Sequence, residues 1–204
     1  MLKPVDLRMY GLLLRPWGER DLDAIRRGLA DPEFRRWNTI NVPSPDEAGA
    51  RDFLESRTTG WQCGEMASFA VTAPGAGGGA GAVLGHISIG MIDFDTHRSG
   101  RVGYWVLPEA RGRGVATRAL DALSRWAFRD LGLYRLELGH AIGNDASCAV
   151  AERCHYRHEG DLRGAMFDIT GTPRDVHVHG RLAVDPPPRL SGVTVPGDNT
   201  TPHA

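Results

Sequence analysis

Apolar positions along this chain recur with two different periods, and the alternation between them predicts an element order. Residues 11–15 read as a first strand, closed by Pro16. Across residues 19–30, Leu22, Ile25 and Leu29 fall at helical spacing, with Pro32 just beyond as a stop. Ser44-Pro45 opens a second helix running towards Arg57, with Ser44 as N-cap and Pro45 as first helical residue. Residues 66–73 and 82–93 read as strands. A third apolar run, Val102-Gly103-Tyr104-Trp105-Val106, stops at Pro108. The next helix carries a stripe of Ala116, Leu120, Leu123, Ala127 and Leu131, and Gly132 fits its C-terminal stop. Residues 134–139 form a strand, 144–154 a helix, and 156–163 and 173–184 the last two strands. From Asp185 the sequence PPPRLSGVTVPGDNTTPHA follows, rich in proline and glycine and without periodicity, so a flexible tail is expected over 185–204. Residues 1–184 then make one domain.

Composition narrows the function classes. At 204 residues, 41% hydrophobic and 24% charged, the chain can bury a proper core. Its formal net charge of −1 supplies no global field for nucleic acid or a membrane surface. No apolar stretch approaches the ~20 residues that span a bilayer, and the first residues are too interrupted for a signal peptide. Cys63, Cys148 and Cys154 are odd in number and lack metal spacing, which suits a reducing compartment. A cytoplasmic location is the expectation.

Two glycine-rich stretches invite a phosphate reading, and only one sustains it. Residues 74–82, PGAGGGAGA, are followed by a strand and not by Lys-Ser/Thr and a helix, so they read as a hairpin connection. Arg111-Gly112-Arg113-Gly114 lies between a strand and a helix. The first amides of a helix have no intrahelical acceptor and sit at the positive end of its dipole, so they can hold an anion. Gly112 and Gly114 permit close approach and positive φ, and Arg111 and Arg113 add charge for the same anion. A dinucleotide fingerprint does not fit: Thr117 replaces its third glycine, several strands and two helices precede the motif, and Glu137 falls inside its strand.

Three stretches together resemble one family. They are GYWVLPEARGRGVATRAL at residues 103–120, Asn144-Asp145-Ala146-Ser147, and the run from Glu152 to Gly160. The first matches the strand, pyrophosphate loop and helix of the GNAT superfamily of acetyl-CoA-dependent N-acetyltransferases. The second matches the N-x-x-S of its ribosomal-protein (RimJ/RimL-like) branch, and the third its E-K-x-G-F-x-x-E-G, with His155 in place of the glycine and Tyr156 of the aromatic. The resemblance runs from about Leu12 to Val184. It implies an α/β (α+β) GNAT fold: a mixed, mostly antiparallel seven-stranded sheet, splayed in the middle and flanked by about four helices.

The resemblance also implies roles for individual residues. Amides of Arg111, Gly112, Arg113, Gly114, Val115 and Ala116 would hold the coenzyme A pyrophosphate. Main-chain groups of Trp105, Val106 and Leu107 would contact pantetheine, with the Val106 N–H stabilising the thioester oxyanion. Asn144 would hydrogen-bond the pantetheine arm, cap its helix, or do both. Many relatives protonate the leaving thiolate with a tyrosine seven residues after this asparagine. Here that position is Ala151, and Ser147 matches the serine proposed for the task in the RimL-like branch; its alternative is an ordinary first-turn residue. Glu65 is a candidate base, or a solvated charge at a strand start. Trp37 and Trp61 line the acceptor pocket or belong to the core. Cys148 and Cys154 read as small core fillers. His177 and His179 share a strand face, but no third ligand is apparent, so no metal is expected.

The implied reaction transfers acetyl from acetyl-CoA to a primary amine by direct attack. A protein α-amine has pKa ~8 and is several per cent neutral at pH 7, whereas lysine at ~10.4 needs far more help. This favours a protein or peptide N-terminus as acceptor. A small-molecule amine acetyltransferase, for an antibiotic, polyamine or metabolite, and a non-catalytic acyl-CoA sensor remain as alternatives. Family habit allows a homodimer.

Overall fold

The computed structural model describes residues 2–190, and its elements follow the predicted order with two additions. They are β1 (Leu7–Met9), β2 (Leu12–Pro16), α1 (Leu22–Ala30), α2 (Pro32–Arg36), α3 (Glu47–Cys63), β3 (Ala67–Pro74), β4 (Ala80–Asp93), β5 (Ser99–Val106), α4 (Val115–Arg129), β6 (Arg135–Ala141), α5 (Asp145–Arg153), β7 (Arg157–Phe167) and β8 (Pro173–Leu182). The eight strands form one sheet in the order β1-β2-β3-β4-β5-β6-β8-β7, against the seven expected. The extra strand, β1, pairs with β2 through Tyr10 and Gly11, both at positive φ. A Tyr-Gly pair is not the usual signature of such a turn, so the sequence conceals it. The extra helix, α2, is one short turn with Pro32 at its start and Asp31 accepting from the Phe34 N–H.

A second correction concerns α3. It starts at Glu47 with Asp46 as N-cap, the carboxylate accepting from the Gly49 N–H at 2.8 Å. Ser44 stands outside the helix and donates to Asp46 instead, at 2.7 Å. Residues 75–79 connect β3 to β4 as a hairpin, and residues 80–82 of the glycine-rich stretch already belong to β4. Of the segment from Asp185, Pro188 is buried and Leu190 packs on the core, while residues 191–204 lie outside the described residues.

Strand alternation divides the core between the two sheet faces. Phe69, Val71 and Val102 join Leu120, Leu123 and Ala127 of α4 on one face. Ala70, Trp105 and Leu107 join Ile25 and Leu29 of α1 and Phe53 and Leu54 of α3 on the other. Asp121 of α4 is fully buried and ion-paired at 3.0 Å with Arg181 of β8, which ties the crossover helix to the sheet. No helix among the described residues is long and apolar enough to cross a membrane.

β5 and β6 are the sheet's one parallel pair, joined by α4 as a parallel pair must be by a crossover. They pair only from Ser99–Arg135 to Val102–Leu138. Beyond that, β5 stays on β4, as Gly85–Val106 pairing shows, and β6 stays on β8. The sheet therefore opens between residues 103–106 and 139–141.

Candidate active site

The opening carries backbone groups that need partners. Leu107 donates its N–H to Leu84 of β4 at 2.8 Å. Neighbouring residues of a strand direct their peptide groups to opposite sides, so the Val106 N–H points away from β4 into the opening. The Val106 carbonyl turns the same way and accepts from Arg111 Nε at 3.1 Å. No strand pairs with β5 on its β6 side at this point, which leaves a donor on the cleft.

The glycine loop follows at once. Gly112 and Gly114 take φ of 70° and 67°, and the space where a Cβ would stand is open at both. Gly114 is the N-cap of α4 and offers no side-chain cap to the amides of the first turn. Arg118 supports the loop from behind: its guanidinium donates to the carbonyls of Arg113 (3.2 Å), Gly114 (3.3 Å) and Tyr10 (2.8 Å). With carbonyls drawn to one side, the amides face the other. The arginine arithmetic differs from expectation. Arg113 is exposed, but Arg111 is drawn back into an ion pair with Asp31, so its charge is largely spent within the protein. Arg118 is the cation the sequence reading overlooked; a basic residue four positions into the helix was the signal.

Across the opening, α5 presents Asn144 and Ser147. Asn144 is the N-cap, its Oδ1 accepting from the Ser147 N–H at 3.1 Å, and it also lines the cleft. The Ser147 hydroxyl lies 2.8 Å from the hydroxyl of Tyr104, which comes from β5. Burial pushes the Tyr104 phenol well above its ordinary pKa, so it keeps its proton. Tyr104 is the second residue that sequence reasoning missed; within an apolar strand run it looks like any core aromatic. Ala151 is buried in the core.

Two cavities meet at this pair. One, of about 480 Å³, runs along Val106, Gly112, Gly114 and Ala116 to Asn144 and Ser147. The other, of about 450 Å³, continues past Tyr104 to Phe53, Arg57, His86 and His140. Trp37 lines both, its indole donating to Glu33 at 2.6 Å. Trp105 also borders both, and its buried indole Nε1 has no hydrogen-bond partner, an unmet donor at the cavity wall. Arg57 sits 4.4 Å over the Phe53 ring as a partly desolvated cation. Leu107, expected to contact pantetheine, is fully buried with its N–H held by Leu84, and it lines neither cavity.

Two expected pocket residues lie elsewhere. Trp61 is 4% exposed, packed on Phe69 and Trp126, with its indole donating to the Ser68 carbonyl at 3.1 Å, so it is core. Glu65 borders a separate depression formed with Asp52, Ser56 and Cys63. Gly64 at φ 81° ends α3 just before it, and Glu65 is exposed. The expectation that Glu65 faces the acceptor is withdrawn. His177 and His179 are not alone either: His140 and Cys148 bring ligand atoms alongside them, which corrects the expectation that no third partner exists.

Residues 11–157 match the family model of the acetyltransferase (GNAT) domain. YdaF of Bacillus subtilis (strain 168), provisionally named a ribosomal N-acetyltransferase, is 34% identical over 102 residues, covering 50% of this chain and 55% of YdaF. The chain thus spans about half the length of that relative. The N-acetyltransferase p20 of Bacillus licheniformis is 26% identical over 164 residues, 78% of this chain and 89% of p20. Mycobacterium smegmatis RimJ, solved in complex with CoA-disulfide, superposes with a TM-score of 0.77 at 26% identity, covering 88% of this chain and 87% of that one. A RimL ribosomal L7/L12 alpha-N-protein acetyltransferase, solved with coenzyme A, gives 0.75 at 20% identity over 88% of this chain and 98% of its own, a likeness of fold.

Proposed function

Since this chain belongs to the GNAT acetyltransferase family, we propose that it moves an acetyl group from acetyl-CoA to the α-amine of a protein or peptide N-terminus. The observation that carries the reading is the sheet opening after Val102–Leu138, flanked by an anion-ready loop on one side and the Tyr104–Ser147 pair on the other. The diphosphate binds the amides of residues 111–116, where helix-start donors and two positive-φ glycines leave room for it. Pantetheine lies in the opening and meets the strand edges. Relatives solved with coenzyme A, such as the smegmatis RimJ, support this assignment.

The chemistry then follows from the cleft residues. The neutral amine attacks the thioester carbon, and the carbonyl oxygen takes up negative charge against the Val106 N–H; one such preorganised donor is worth about 3 kcal/mol. As the C–S bond breaks, Ser147 gives its hydroxyl proton to sulfur and takes one from the new ammonium nitrogen. The net proton movement is from nitrogen to sulfur, and serine is restored. Tyr104 keeps its own proton and orients Ser147. No carboxylate base enters. Arg57 in the wall of the second cavity repels an ammonium and so selects an amine that enters neutral. An α-amine with pKa ~8 meets that condition more readily than lysine.

The test is mass spectrometry of peptides and small amines after incubation with acetyl-CoA. Acetyl on peptide N-termini in preference to lysine ε-amines is the expected product. Acetylation confined to small amines would replace the acceptor, and coenzyme A binding without turnover on any amine would overturn catalysis.

A further inference from the structure

We propose that His140, His177, His179 and Cys148 form a binding site for one zinc-class transition-metal ion, which fastens the first turn of α5 to the sheet. Their ligand atoms all lie within 4.8 Å of one another. The topology brings them together from three elements. The β6–β8 register sets His140 opposite His177, and His179 stands two residues on. Cys148 comes down from α5.

Hydrogen bonds decide which nitrogens are available. His140 Nδ1 lies 3.0 Å from the Ala141 carbonyl and His179 Nδ1 lies 3.4 Å from the Tyr156 carbonyl. A carbonyl can only accept, so each Nδ1 carries the hydrogen and each neutral ring keeps a lone pair on Nε2. Those two Nε2 atoms face each other at 3.2 Å. Two lone pairs at that separation repel, and a shared cation reconciles them. An Nδ1–H held by a carbonyl is also the outer-shell arrangement that orients metal-bound histidines.

The distances suit one ion. Zn–N bonds of ~2.0–2.1 Å in tetrahedral geometry hold two imidazole nitrogens ~3.3 Å apart, and a Zn–S bond of ~2.3 Å puts sulfur ~3.6 Å from each. Here the nitrogens are 3.2 Å apart and Cys148 Sγ is 3.9 Å from His179 Nε2. His177 has a buried Nδ1 without a hydrogen-bond partner, and its Nε2 lies 3.6 Å from Asp161. Asp161 also holds His158 at 2.8 Å. Three imidazoles and one thiolate select a borderline metal such as zinc over calcium or magnesium. The ion takes no part in acyl transfer. It fixes Cys148, the neighbour of Ser147, and so the turn that presents that hydroxyl.

The test measures metal directly and is independent of acetyl transfer. The 204-residue protein, stripped by a chelator, is titrated with Zn²⁺ against a chromophoric competitor, and separately with Co²⁺ in the absorption spectrometer. One equivalent of zinc is expected, with cobalt giving tetrahedral bands and a thiolate-to-cobalt charge-transfer band. Cys148→Ser loses that band, and Cys148→Ser and His177→Asn each weaken zinc by more than about tenfold while circular dichroism is unchanged. Failure of the parent protein to compete for zinc, leaving only a proton shared by His140 and His179, overturns the site. Equal zinc affinity in the parent and both variants does the same.

Discussion

Ser147 and Tyr104 illustrate what one residue can and cannot disclose. Ser147 was legible because N-x-x-S is a pattern, and Asn144 proved to hold its N–H at 3.1 Å. Tyr104 was not, because the role proposed for it depends on facing α5 across a sheet opening that no local signal encodes. Its one sequence clue is parity: two residues before Val106, it shares that residue's sheet face. Ser147→Ala should lower kcat by ~100-fold, within the range for a lost proton-transfer group, with KM for acetyl-CoA unchanged. Tyr104→Phe should lower kcat by about tenfold and leave the pH profile in place, because the phenol orients and does not titrate. Steady-state kinetics with a reactive peptide check both, and a shifted profile in Tyr104→Phe would make it the acid instead. Trp61 and Glu65 were left open between two readings for a shared reason. Neighbourhood in sequence to a strand start said nothing about which side of α3 or of its glycine cap each would occupy.

At the scale of elements, the loop and α4 act as one unit. Their boundaries were readable from Pro108, the two glycines and Gly132, whereas β1 and α2 were too short to show a period. Gly114→Val forces a branched residue to φ 67°, at a cost of about 1–2 kcal/mol, and places methyls where the diphosphate would lie. Coenzyme A affinity should fall more than about tenfold by calorimetry. Arg118→Ala, which frees the carbonyls of Arg113 and Gly114, should weaken it in the same direction without adding bulk. Asp121 anchors the same helix. Asp121→Asn leaves Arg181 buried against a neutral partner and should cost about 3 kcal/mol in urea unfolding. A loss near zero would mean that the ion pair does not hold α4 to β8.

The sheet as a whole sets the cleft, and this was the least legible level. Periodicity gave strands, but the parting of β5 from β6 depends on β6 pairing with β8, nearly forty residues later in the chain. Only the family resemblance supplied it. The assembled core also implies a pH response. His86 is buried beside Trp17, whose indole donates to its Nδ1 at 3.1 Å, and burial followed by the Arg57 charge holds its pKa well below the usual histidine value. A lowered histidine pKa means that the unfolded chain binds the proton first. Stability is therefore full above the unfolded value of ~6.5 and declines as pH falls below it. Melting temperature should drop between about pH 6.5 and 5, and His86→Gln should flatten that slope. An unchanged slope would put the titrating group elsewhere.

The most direct test of the whole account is a crystal structure of this chain with acetyl-CoA bound. The diphosphate should rest on the amides of residues 111–116, with the thioester oxygen at the Val106 N–H and sulfur within reach of Ser147. Acetyl-CoA bound away from the β5–β6 opening, or with its thioester turned from Val106 and Ser147, would contradict it.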